Sequence, residues 1–448
     1  MTTTTRALFA LFLIALVYSC TQDELINPLD ARLNQQLRSL APNGTIEDFV
    51  LPAADDYAAI PAGRQNPITS DKVALGQQLF YETGLARDAR YAEGIGSYSC
   101  SSCHVPAAGF TPGRAQGIAD GGRGFGYTGE ARTQHYAYAE NEIDVQGARP
   151  LSLLNVAYVT NTTWSGKFGA YHANEGTEEV WGHPDKDTEI NHLGLDGLES
   201  QNIEGLIIHR MSVDEYVLDT LGYRSMFDAA FADWEVDERY TRKATSFAIS
   251  AYLRTLLTTE APWQEYLKGN QAALDDIEKQ GALLFYGKAG CYRCHQGPAM
   301  SSVSFYALGV NDLDQHPASL ATGPDDIRNK GRGGFTGLNE DLYKFKVPGI
   351  YNMADAGFYF HGSSKETLRE VVEYFNAAEP ENDRVPQEQL APQFHPLHLT
   401  EAEVDALTYF LEHSLRDPNL ERYVPSQTRS GNCFPNNDSQ SRIELGCN

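Results

Sequence analysis

Long apolar runs, basic charge and methionine are all scarce in this sequence. No apolar run after residue 17 approaches the roughly 20 residues of a bilayer-spanning helix, and the run near the start, Ala7 to Val17, has 11. A membrane-spanning chain is therefore not expected. Only 35 Lys and Arg stand against 60 Asp and Glu, a net charge of −25. That balance repels phosphate backbones and leaves no basic footprint, so nucleic acid is not expected as a partner. The acidity itself suits solubility or a basic protein partner equally well. Beyond Met1 there are only Met211, Met226, Met300 and Met353, which leaves few thioethers for any site that needs one. Hydrophobic residues are plentiful at 42%, and 448 residues predict two or three folded domains rather than disorder.

The start of the chain reads as an export signal over residues 1–19. Arg6 precedes the apolar run, and Val17-Tyr18-Ser19-Cys20 is similar to a lipobox whose Cys becomes a lipidated first residue. Residues 20–45 then read as a tether with a short helix. The expected location is the periplasm or cell envelope, with a lipid anchor through Cys20, or plain cleavage with Cys20 incidental.

Seven cysteines are present, and four fall in two copies of one pattern, Cys100-Ser101-Ser102-Cys103-His104 and Cys291-Tyr292-Arg293-Cys294-His295. With 7 Cys and 12 His in the chain, C-x-x-C-H is expected by chance about 0.003 times, so two copies carry information. The pattern is the attachment site of c-type haem: two thiols add to the two vinyl groups of one porphyrin, and the next residue presents an imidazole to the iron. His104 and His295 are thus the candidate metal ligands, and Cys100, Cys103, Cys291 and Cys294 the thioether donors. A redox C-x-x-C needs no trailing His, and zinc needs four ligands per site. Cys433 and Cys447, in a tail rich in Asn, Ser and Pro, are able to close a disulfide loop in an oxidising compartment.

An internal duplication surrounds the two motifs. Gly76-Gln77-Gln78-Leu79-Phe80-Tyr81 precedes the first, and Gly281-Ala282-Leu283-Leu284-Phe285-Tyr286 the second. The first copy holds 14 more residues between its Leu and its first Cys, room in which a haem edge can be opened or covered. Helical periodicity marks 71–81, 239–258, 271–287 and 401–415, the last opened by a capping box of Thr400 and Glu403. A similar box, Ser363 with Glu366, predicts a helix over 365–376. The Gly-rich stretches 105–130 and 330–338 lack a period and read as loops around haem edges. The expected fold is mainly α: two cytochrome c-like haem domains packed on each other, with long haem-wrapping loops. The boundaries are 46–258 for an N-terminal haem domain, 259–426 for a C-terminal haem domain, and 427–448 for an irregular tail.

From about Ile68 to Leu415 the chain resembles the bacterial di-haem cytochrome c peroxidase family, which includes the MauG-type enzymes. The resemblance rests on Asp71-Lys72-Val73-Ala74-Leu75-Gly76, on Cys103-His104-Val105-Pro106 through Phe110, and on Arg149-Pro150 leading through Leu153-Leu154-Asn155 to Trp164. It continues in Ala261-Pro262, in Tyr266-Leu267-Lys268-Gly269, and in Phe345-Lys346-Val347-Pro348 through Tyr359-Phe360-His361-Gly362. It implies that an exported enzyme reduces hydrogen peroxide to water with electrons from a small donor such as a cytochrome c. It further implies that the His104 haem is peroxidatic, that electrons arrive at the His295 haem, and that Trp164 relays between them. Calcium between the haems and a homodimer are further family traits. The alternatives are a MauG-type oxidase acting on a partner protein, or a non-catalytic di-haem electron carrier.

The family places a Gln and then a Glu after the tryptophan. Leu198-Glu199-Ser200-Gln201 is similar to the Gln region, while the Glu position falls on His209-Arg210-Met211, where no carboxylate stands. Gln201 and His209 are the resulting distal candidates, since a histidine holds or releases a proton near neutrality. Arg210 is an alternative that stabilises developing negative charge. The sixth ligand of the second haem falls near Phe375, leaving Tyr374, Met353 or an open site. His135 is the nearest candidate for a closing ligand on the first haem, and Arg149 stands near the expected calcium ligand.

Overall fold

A computed structural model describes residues 27–447. The apolar run Ala7 to Val17 and Cys20 lie outside the described residues. Among the described residues no helix is long and apolar enough to cross a membrane.

The architecture is mainly α, with long irregular connections. The principal helices are α1 (Pro28–Leu40), α2 (Ser70–Tyr81), α3 (Gly197–Ile208), α4 (Arg242–Arg254), α5 (Asp276–Phe285), α6 (Leu368–Ala377), α7 (Glu401–Tyr409) and α8 (Ser439–Glu444). Two short antiparallel ribbons complete it: β1 (Gly122–Arg123) with β2 (Thr133–Gln134), and β3 (Phe305–Tyr306) with β4 (Phe345–Lys346). In the second ribbon Phe305 pairs with Lys346 and Tyr306 with Phe345.

Two apolar clusters organise the chain. In the first, Leu75, Leu79 and Phe80 of α2 meet Ala244, Phe247, Ala248 and Tyr252 of α4 and Leu198 of α3. In the second, Ala282 and Phe285 of α5 meet Val404 and Leu407 of α7, with Trp263, Phe410 and Tyr351. The duplicated motif explains itself here. A Cβ on Gly76 would lie 1.9 Å from the Ala248 carbonyl oxygen, and one on Gly281 would lie 2.2 Å from the Ala406 carbonyl oxygen. Each glycine is the point where the helix before a Cys-x-x-Cys-His motif crosses a partner helix at backbone contact.

Several sequence expectations change. The supposed tether holds α1, whose Leu33 and Leu37 are fully buried in the second cluster and whose Asp30 pairs with Lys279 at 3.0 Å in a buried site. Phe49 also joins that cluster. The supposed irregular tail carries α8 and the Cys433–Cys447 disulfide, and it packs on the first half. Asn437 N donates to Ser97 O at 3.0 Å, and Ser99 Oγ to Pro435 O at 2.9 Å, beside the first motif. The stretch 330–338 is not all loop: Arg332–Thr336 forms a helical turn. Its Gly333 and Gly334 face Leu342 and the Ile327 carbonyl so closely that no Cβ fits, so they serve packing rather than flexibility. The cap of α6 is the box Thr367 with Glu370, not Ser363 with Glu366. Ser363 has φ 57, unlike the extended backbone of an N-cap, and its hydroxyl donates to Ala115 O.

Candidate functional site: two cavities sharing one wall

Each Cys-x-x-Cys-His motif opens with a single 3-10 turn, Cys100–Ser102 and Cys291–Arg293, capped by the second cysteine and followed by the histidine. His104 Nδ1 lies 3.0 Å from Phe110 O, and His295 Nδ1 lies 3.1 Å from both Met300 O and Pro348 O. A carbonyl only accepts, so Nδ1 carries the proton in each ring and Nε2 keeps its lone pair. The chain is bent to supply these carbonyls: Phe110 and Met300 both have positive φ, 56 and 47, and each ends a short return held by a bridge, Val105 to Thr111 and Gln296 to Ser301. Burial holds His104 well down, at about 4, and lowers His295 too, so both imidazoles are neutral as a metal ligand must be. Cys100, Cys103, Cys291 and Cys294 are unbridged, and burial pushes the first three thiols up to about 12.

A cavity of about 360 Å³ opens over the first motif, and one of about 340 Å³ over the second. The first is lined by Cys100, Cys103 and His104 and by Gln201 and His209. The second is lined by Cys291, Cys294 and His295, with Met353, Phe375 and His395 among its other residues. Unbridged thiols, a neutral imidazole with a free Nε2 and an adjoining largely apolar cavity fit a covalently held haem in each place.

Gln201 projects from α3 into the first cavity, and His209 caps that helix. His209 Nδ1 donates to Asp144 Oδ2 at 2.7 Å, leaving Nε2 as the free nitrogen. The His209 side chain is 34% accessible while Asp144 is 7%. Burial alone would lower the His209 pKa, but the charge and hydrogen bond of Asp144 outweigh it and hold the pKa above its ordinary value. Asp144 carries no sequence signal of this role: it sits in an ordinary-looking acidic stretch 65 positions from its partner.

Other candidates lie elsewhere. Arg210 has φ 54, and its guanidinium turns to buried Asp120 at 2.9 Å; it does not line the first cavity. His135 lines neither cavity, and its Nδ1 accepts from Ala137 N. Tyr374 Oη donates to Leu308 O at 2.6 Å, and the neighbouring Phe375, not Tyr374, faces the second cavity.

Trp164 lies on the wall common to both cavities with Arg149, Pro150, Lys346 and Pro348. Its Nε1 donates to Arg149 O at 2.6 Å, and its ring stands edge-on to His361 at 6.1 Å and Phe345 at 6.4 Å. Arg149 Nη2 donates to Thr111 Oγ1, Pro112 O and Ala356 O. Those oxygens already serve a cation, and among the described residues no cluster of three His, Cys, Asp or Glu could hold a metal.

Two Cys-x-x-Cys-His cavities in a mainly α chain define a two-haem c-type protein. Residues 70–272 match the family described as di-haem cytochrome c peroxidase. The chain is 29% identical over 392 residues to a cytochrome-c peroxidase of Denitromonas iodatirespirans, covering 83% of this chain and 89% of the relative. It is 26% identical over 365 residues to the methylamine utilization protein MauG of Methylorubrum extorquens, covering 80% and 82%. A solved MauG-like protein associated with microbial copper homeostasis shares the fold with a TM-score of 0.56 at 24% identity, covering 83% of this chain and 95% of that one. Over residues 70–272 the chain is thus similar to the di-haem cytochrome c peroxidase family.

Proposed function

We propose that the protein is a di-haem c-type peroxidase that reduces hydrogen peroxide to water with electrons from a small cytochrome or similar donor. The observation that carries this reading is the first cavity, which His104, Gln201 and His209 all line. Its two cytochrome c-like halves are taken as 46–258 and 259–426, exported to the cell envelope and lipid-anchored through Cys20.

Haem c bound at Cys100, Cys103 and His104 supplies the iron and electrons for cleavage of the O–O bond. The protein residues manage the protons. His209 Nε2 accepts the proton of incoming peroxide while Nδ1 stays bonded to Asp144, so the ring keeps its orientation as it becomes charged. The same Nε2 then returns the proton to the leaving oxygen, completing water. Gln201 offers an amide to position peroxide without taking a proton. The Phe110 carbonyl holds the proximal ring of His104. Trp164, packed between the cavities, provides the aromatic route from the His295 side.

Single-turnover mixing of the holoprotein with peroxide tests the assignment of the two sites. His104→Gly should abolish the fast peroxide reaction, while His295→Gly should retain it and lose steady turnover with reduced cytochrome. The reverse pattern would exchange the roles of the two sites.

A further inference from the structure

We propose that Arg149 and Lys346 form a carboxylate-binding site on the shared wall, and that the groups it binds are the propionates of the two haems. The inference rests on the two-haem reading above and adds which residues neutralise the cofactor's charge.

Arg149 is 4% and Lys346 3% exposed, and each lines both cavities. Buried cations elsewhere in the chain meet carboxylates: Arg132 meets Asp438, Arg254 meets Glu199 and Lys279 meets Asp30. Two others meet none but donate to neutral oxygens: Arg332 to Ser165, Gly166, Ala173 and Asn174, and Lys72 to Asn66 and Pro67. Arg149 meets neutral oxygens as Arg332 does but also leaves a guanidinium nitrogen, its buried Nε, without a partner, and the Lys346 ammonium meets no acceptor among the described residues. Burial drives the Arg149 guanidinium down to about 9, opposed only by Tyr359, and the Lys346 ammonium to about 8 with nothing opposing it. Neither has a carboxylate partner among the described residues.

A lone buried cation is costly unless an anion arrives to meet it. Each haem carries two carboxylates, and these two cations stand where both cavities reach the same wall. They are also fixed to one another: Lys346 N donates to Trp164 O at 2.8 Å, and Trp164 Nε1 donates to Arg149 O. One rigid pair of positive charges thus serves two cofactors, holding their acid groups and favouring the reduced state of both irons.

The test compares Arg149→Gln, Lys346→Gln and the charge-retaining Arg149→Lys with the parent holoprotein, by haem content and by spectroelectrochemical titration. The parent should hold two haems; fewer would overturn the two-haem reading itself, separately from this proposal. Each Gln variant should keep both haems and lower the midpoint of both by about 59 mV, a tenfold change in a one-electron equilibrium. Arg149→Lys should regain at least half of that shift. Loss of the Arg149 hydrogen bonds can unfold a variant, so Lys346→Gln carries the test alone if needed. Two-haem variants with both midpoints unchanged would make these cations structural only. A shift confined to one haem would overturn the sharing.

Discussion

Asp144 and His209 show at the level of single residues how much of this chemistry the sequence discloses. His209 is reachable by following the family pattern and asking what replaces a missing carboxylate. Asp144 is not, because its significance is a 2.7 Å contact made by folding. Its effect has a definite sign. The carboxylate favours the charged imidazolium and raises the His209 pKa, whereas only the neutral ring accepts a proton from peroxide. The rate of the first peroxide step should therefore rise with pH through a pKa above that of an ordinary histidine. Asp144→Asn should move that limb to lower pH, and it should also reduce the plateau because the ring loses its orienting partner. His209→Ala should slow the step by roughly 10² to 10⁴-fold at unchanged haem content. Stopped-flow mixing across about pH 5 to 9 measures both effects. An Asp144→Asn limb identical to the parent's would show that Asp144 does not tune His209, and an unimpaired His209→Ala would transfer the proton work to another group.

Among the helices, what the sequence made legible was repetition and periodicity. The two Gly-x-x-Leu-Phe-Tyr copies stood out before their purpose did, since a sequence shows that a glycine recurs but not which carbonyl it must approach. The structure supplies Ala248 for Gly76 and Ala406 for Gly281. A methyl group at either place meets backbone that cannot swing aside, so Gly76→Ala and Gly281→Ala should each cost about 1–3 kcal/mol or more. The damage should be local: Gly76→Ala should loosen the first haem site and Gly281→Ala the second, as read from the thermal unfolding of each haem's absorption. Equal melting of variants and parent would mean that the helix pairs can slide apart at no cost. Capping was legible where the backbone agreed with the letters, as at Thr400 with Glu403. It failed at Ser363, whose positive φ belongs to a turn. A two-residue pattern cannot report that dihedral, and Thr367 with Glu370, four residues on, satisfies the same pattern in the right geometry.

Over the whole molecule, the two ends of the chain cross over. The N-terminal helix α1 completes the second apolar cluster, while Leu420 and Tyr423 enter the first and the disulfide-closed tail covers the first motif. Composition misled here because polar segments read as a tether at one end and an irregular tail at the other, although a few apolar and charged side chains are enough to dock them. In the tail those contacts are specific. Arg132, 1% exposed, pairs with Asp438, and the tail packs over Ser101 and Ser102, which are 0% and 3% exposed between the two cysteines of the first motif. Deleting 427–448 should therefore expose the first attachment turn and leave Arg132 buried without its carboxylate, a loss typically worth about 3–5 kcal/mol for a broken buried pair. The milder double variant Cys433→Ser with Cys447→Ser keeps those contacts and removes only the cross-link, whose 14-residue separation corresponds to about 3 kcal/mol of unfolded-state entropy. Both should lower the unfolding midpoint of the His104 site and leave that of the His295 site within error, the deletion more than the double variant. Limited proteolysis should then cut near residues 96–103 in the deletion and not in the parent. If the His295 site melts earlier as well, the tail steadies the whole molecule rather than the first half; if neither site changes, the tail is a passive cover.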